Sequence, residues 1–301
     1  MPGMSFSHPC GDSFARGLPE SMGEGRVEPA RSAGHDFRIG LARAFGGAIL
    51  FALPLLMTME MWTLGVSMGE ARLALFLGLM LPVLGGLAYY AGFEQSFGWR
   101  DFVLYSLVAY AVGFSAATVA LLLLNVLGPA VSVDEVVGKV ALQAVPASIG
   151  AMLARSQLGA QDEEQDEQRR RESYGGALFL AGVGALFLAF NVAPTEEVVL
   201  IAQMMSGWHA VALVVVSLLL MHAFVYAVEF RGQHPIAEGV SPWSEFLRLT
   251  VVAYALALLV CLYVLWTFGR ADGLAFPELL IETVVLGFPA SLGAAAARLI
   301  L

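Results

Sequence analysis

The sequence predicts an all-α, polytopic transmembrane bundle of eight spans, built as two parallel four-helix repeats. Three observations predict it. Charged residues make up only 14% of the 301 positions and apolar types 58%, whereas soluble domains are about a quarter charged. The charge is also gathered: residues 1–41 hold 9 charged side chains, residues 156–173 hold another 9, and the other 242 positions share 23. Finally, the second half of the chain echoes the first.

Helices satisfy their own backbone, so apolar runs of about 20 residues can cross the hydrocarbon of a bilayer. Residues 1–41 come first, rich in Gly, Pro, Ser and charge, without the apolar run of a cleavable signal; they read as a disordered cytoplasmic tail. The first repeat, 42–155, contains spans near Arg43–Leu64, Leu73–Ala91, Phe102–Leu127 and Val133–Leu153. The fourth is the least apolar, diluted by Asp134, Glu135, Lys139 and Gln143. Residues 156–173 form a charged cytoplasmic linker, with Asp166 and Glu167 one turn ahead of Arg170 and Arg171, as on a solvated helix. The second repeat, 174–301, contains spans near Tyr174–Val192, His209–Val228, Phe246–Phe268 and Pro277–Ile300.

With the N-terminus inside, thirteen basic residues fall on the cytoplasmic side and three, Arg72, Lys139 and Arg270, on the other. The positive-inside rule then puts both termini in the cytoplasm, the protein lying in the cell membrane. Two cysteines, Cys10 and Cys261, leave no disulfide framework or cysteine-rich metal site. No basic tract suggests nucleic acid, and the expected partner is the lipid bilayer.

The repeat is legible in particular residues. Val108-Ala109-Tyr110-Ala111 recurs as Val252-Ala253-Tyr254-Ala255, each behind an acid–Phe pair. Aligning Val133–Arg155 with Phe276–Arg298 without gaps gives 8 identities in 23. Phe45-Gly46-Gly47-Ala48 answers to Tyr174-Gly175-Gly176-Ala177, while the second and sixth spans agree only through Tyr90-Ala91 and Tyr226-Ala227. Four spans per half is an even number, so both halves keep one orientation. The small pairs Gly150/Ala154 and Gly293/Ala297 suit close backbone approach. They suggest that the fourth and eighth spans meet at the centre, with Ser148 and Ser291 bonding across.

Ionisable groups inside spans are costly and mark candidate sites. Glu60 lies in the outer third of the first span, after Pro54. Pro194 stops the fifth span, and Thr195 can cap a new helix carrying Glu196 and Glu197 in its first turn. Lys139 and Glu282 occupy equivalent positions, so helices meeting at a two-fold axis would form a Lys139–Glu282 ion pair, as clamp or gate. Together these groups suggest an outward acidic cavity that binds a hard cation or exchanges protons. The bland reading stands beside it: acids at a helix N-terminus and an interfacial Glu60 next to Trp62. His222, with Tyr226 and Glu229 at i+4 and i+7, offers a proton relay or a plain interhelical hydrogen bond. Haem is excluded because no other span supplies a facing histidine, and no cofactor is expected. Motifs of metalloproteases, serine hydrolases and phosphate-binding loops are absent, so no enzyme activity is expected.

Through Phe-Gly-Gly-Ala, Met57-Thr58-Met59-Glu60 and Asn191–Glu197, the chain resembles a family of uncharacterised bacterial integral membrane proteins of unknown function, over roughly residues 38–301. That resemblance implies a membrane bundle and brings no activity, substrate or cofactor. Asn-x-x-Pro-x-Glu is also weakly similar to a repeat of cation/calcium exchangers, with different spacing. The resulting expectation is a secondary transporter or ion-conducting protein for a cation or proton; the alternative is a scaffold or sensor acting through its linker or tail.

Overall fold

The computed structural model describes residues 31–90, 98–158, 173–229 and 246–300. The described residues are helical, with no strand. In the first half, α1 (Arg31–Leu56) is followed by a short helix, α2 (Met59–Ser67), then α3 (Glu70–Tyr90), α4 (Trp99–Leu123) and α5 (Val133–Leu158). In the second half, α6 (Tyr174–Val192) is followed by a short helix, α7 (Glu196–Met204), then α8 (Gly207–Glu229), α9 (Phe246–Thr267, opening with the π-helical stretch Phe246–Val251) and α10 (Phe276–Ile300). Eight of these are long and apolar enough to cross a membrane. The contacts of Arg72 with Asp272, Arg270 with Glu196 and Gly65 with Lys139 gather α2, the start of α7 and the loops after α4 and α9 at one end of the bundle, here the short-helix end.

Two expectations about boundaries change. Helix α1 begins at Arg31, inside the expected tail, and α5 runs to Leu158, inside the expected linker; Ser156–Ser173 otherwise falls largely outside the described residues, as do residues 1–30. The first span does not continue to Leu64. It ends at Leu56, and Glu60 belongs to the separate helix α2. The reason is local. The Thr58 hydroxyl donates to Leu55 O (2.9 Å), the Trp62 indole to Leu56 O (2.9 Å) and the Gln143 amide to Leu55 O (3.0 Å). These donors take up carbonyls that a continuing helix would have used.

The same break occurs 137 residues later. At that spacing Gly47 and Gly184 hold matching seams, so the expected match of Phe45-Gly46-Gly47-Ala48 with Tyr174-Gly175-Gly176-Ala177, at a spacing of 129, is not the structural one. Thr195 donates its hydroxyl to Val192 O at 2.9 Å, as Thr58 does to Leu55 O. Thr195 thus sits at the N-cap of α7 as expected, but its side chain bonds backward to α6 instead of capping the new helix. Both short helices bury residues one turn apart: Met61 and Gly65 in α2, Val198 and Ala202 in α7.

Packing within each half follows one scheme. Helix α5 lies against α1, α2, α3 and α4; helix α10 lies against α6, α7, α8 and α9. The closest seams run through glycine. A Cβ on Gly47 would stand 2.1 Å from Ala154 Cβ, and one on Gly184 would stand 2.2 Å from Gly293 O. The small residues of the fourth and eighth spans therefore pack on the first and fifth spans. Helices α5 and α10 do not form a packed pair, and Ser148 and Ser291 donate to Ala144 O and Phe288 O of their own helices. That corrects the expected central contact: backbone approach at Gly47–Gly150 and Gly184–Gly293 takes up those faces.

Burial explains the dilution of the fourth span. Of its most apolar window 78% is buried, against 11% for α8. A helix surrounded by protein can carry Lys139 and Gln143; one facing lipid cannot.

Candidate functional site

The ends of α4 and α9 share a backbone turn that places the key cation. Asn125 (φ 57°) and Gly269 (φ 74°) adopt the left-handed conformation that ends helices. The following amides, Val126 N and Arg270 N, donate to Leu121 O and Leu265 O, each at 2.9 Å. Asparagine tolerates this φ and glycine adopts it without strain. The turn sends Arg270 toward the start of α7. Its Nη1 donates to Glu196 Oε1 at 3.0 Å and its Nη2 to Pro194 O.

Glu282 lies on α10 near the same short-helix end. It is 3% exposed, and its Oε2 accepts no hydrogen bond. Arg270 and Glu278 are the charges that act on it. Arg270 Nε is also buried without a partner. Glu278, one turn before Glu282, is engaged elsewhere, accepting from Ala275 N at 3.2 Å.

The expected Lys139–Glu282 ion pair is not formed. Lys139 Nζ instead meets Glu135 Oε2 at 3.5 Å, one turn away on the same helix. Close approach fixes its backbone: a Cβ on Gly65 of α2 would stand 2.7 Å from Lys139 Cα. The two residues sit on α5 and α10, which each half wraps separately. Equivalence in sequence did not bring them together.

The three acids Glu60, Glu196 and Glu197 are not gathered either. Among the described residues, no three His, Cys, Asp or Glu side chains lie where they could hold a metal ion. Glu60 is half-buried in the first turn of α2, which packs on α5. Glu196 and Glu197 are exposed in the first turn of α7, which packs on α10. The acidic cavity expected from their common depth is thus two separate helix starts, one of them neutralised by Arg270.

His222, half-buried on α8, faces Thr250 of α9, with Nδ1 to Oγ1 at 3.2 Å, and lies edge-on to Phe246. Tyr226 and Glu229 continue the same helix, but their side chains lie outside the described residues. The expected relay through Tyr226 and Glu229 thus lies outside the described residues, and His222 makes an interhelical contact.

Two further features were not read from the sequence. Arg72, at the start of α3, makes a bidentate pair with Asp272 after α9, at 2.7 and 2.8 Å, and lies over Trp266 at 5.4 Å. The guanidinium holds the Asp272 carboxyl below the usual carboxylate range. An apolar cavity of about 290 Å³ also opens between α3, α6 and α9, lined by residues such as Met80, Phe179, Leu256 and Tyr263. Its walls hold no charged group.

The family model described as "Putative integral membrane protein (DUF2391)" matches residues 40–301. The chain belongs to this family. It is an integral membrane protein with multiple spans, as the resemblance implied. No curated protein and no solved structure matches it. At the short-helix end Arg270 is held by Glu196, Glu282 Oε2 is buried with no hydrogen-bond donor, and Lys139 is held by Glu135.

Proposed function

We propose that this protein moves a proton or small cation across the membrane, and that Glu282 is the carboxyl that takes it up. One observation carries the reading: a buried carboxylate oxygen at the edge of the hydrocarbon with no donor to satisfy it. Such a group is costly unless it is protonated, ion-bound or paired. Arg270 is the available competitor. Held by Glu196 at 3.0 Å, it leaves Glu282 open to the ion; moved toward Glu282, it would displace the ion. Uptake and release would then follow Arg270 between an exposed and a buried carboxylate, a two-state element biased by the ion itself.

The membrane half that bears this site belongs, in our reading, to a duplicated four-span unit in parallel orientation. The recurring threonine bonds, left-handed turns and glycine seams support it. The thirteen-to-three distribution of basic residues supports cytoplasmic termini, with Glu282 toward the outside.

Purified protein in liposomes with an internal pH indicator tests the proposal. An imposed proton or cation gradient should collapse through the native protein and persist with Glu282→Gln. Equal flux in both removes Glu282 from the mechanism. If the native protein passes no ion, a scaffold or sensor acting through the linker or tail is the reading that remains.

A further inference from the structure

The two halves are not equally enclosed. On α6, Val183 and Phe190 are 3% and 1% exposed, because the first half covers that face. Phe190 meets Phe76 of α3 at 5.2 Å, and Phe187 meets Phe51 of α1 at 5.5 Å. The same face of α1, 137 residues earlier, is Gly46, Leu50 and Leu53. There Leu50 is 68% and Leu53 44% exposed.

The helix that should cover that face is also bare. Helix α3 packs across the halves on α6 and α9, whereas its counterpart α8 makes its packed pairs with α9 and α10 of its own half. Val211, Val215 and Leu219, on one exposed side of α8, are 54%, 49% and 61% exposed. The junction between halves is thus used once, leaving one unused complement at each end.

We infer that a second copy of this chain covers α1, laying its α8 there as α3 lies on α6. The inference rests on the duplication argued above. Two copies close the contact about a two-fold axis: α8 of each meets α1 of the other, so the combined surface is isologous. The clamp of Arg72 on Asp272 has no counterpart, because Gly128 stands where the first half would need the acid. The contact between copies is therefore apolar packing alone.

Disulfide trapping in membranes tests this. Cys10 is replaced by Ala; Cys261 is buried and stays. Phe190 against Phe76 translates to Leu53 against Ala212 in the register of Tyr90 and Tyr226. Protein carrying Leu53→Cys is mixed with protein carrying Ala212→Cys and oxidised. A cross-linked pair should form in the mixture and with neither variant alone. The native protein in lipid nanodiscs should show a mass above one chain. A single-chain mass overturns the inference, as does a Leu53→Cys protein that links to itself. Neither result bears on flux through Glu282.

Discussion

Helices α5 and α10 hold equivalent places in their halves, yet they handle charge in opposite ways. Glu135 and Glu278 stand at the same position, one turn before Lys139 and Glu282 respectively. In α5 the acid and base close on each other at 3.5 Å. In α10 the second member is another acid, so the helix cannot neutralise itself, and a cation must come from a different element. Arg270, positioned by the turn at Gly269, is held by Glu196 at 3.0 Å instead. A shared scaffold thus carries a self-contained ion pair in one half and an open carboxyl in the other. The first is self-contained, and on the proposed reading the second is where the ion binds.

The comparison can be broken most sharply at Glu282. Glu282→Lys rebuilds the arrangement of α5, with Glu278 as partner; the variant should fold, as judged by gel filtration and melting, and its ion flux should fall to background. Next come the seams on which the equivalence depends. Gly47→Ala and Gly184→Ala each force a Cβ into contacts near 2 Å and should each destabilise by about 1–3 kcal/mol in reversible unfolding in detergent. Similar losses in both sharpen the equivalence, and a loss at one site alone breaks it. Glu135→Gln leaves a largely buried ammonium without its carboxylate and should cost about 0.5–1 kcal/mol while leaving flux unchanged. Smallest is the clamp between halves. Arg72→Gln should lower the melting temperature slightly at neutral pH and not at all in strong acid. The depressed carboxyl of Asp272 sets the sign: its contribution is present above the ordinary aspartate range and is lost as pH falls through its lowered value.

Most of the scaffold was legible because lipid imposes a simple demand. The apolar run Tyr174–Val192 coincides with α6, and most other expected spans lie within a few residues of their helices. The first span overruns the helix because Thr58, Glu60 and Thr63 are scattered among Met57, Met59, Met61, Trp62 and Leu64, and hydropathy does not tell a backbone break from a polar interruption. The equivalent break at Pro194-Thr195 was recognised, and carrying it back to Thr58 would have shown α2. The site was less legible for a different reason. A Lys139–Glu282 pair requires equivalent helices to meet, but glycine seams draw each to the first helix of its own half. In the sequence Arg270 is one of three basic residues marking the outer side, and its contact with Glu196 depends on a left-handed turn that only the backbone shows.

The burial of α5 bears on how the chain enters the membrane. The two least apolar spans, α5 and α10, are the last of their halves to be synthesised. Each carries acids in its first turn, a poor substrate for insertion alone. By the time either emerges, the helices that surround it in the fold have already been synthesised. The order of synthesis therefore lets protein, instead of lipid, receive the charge.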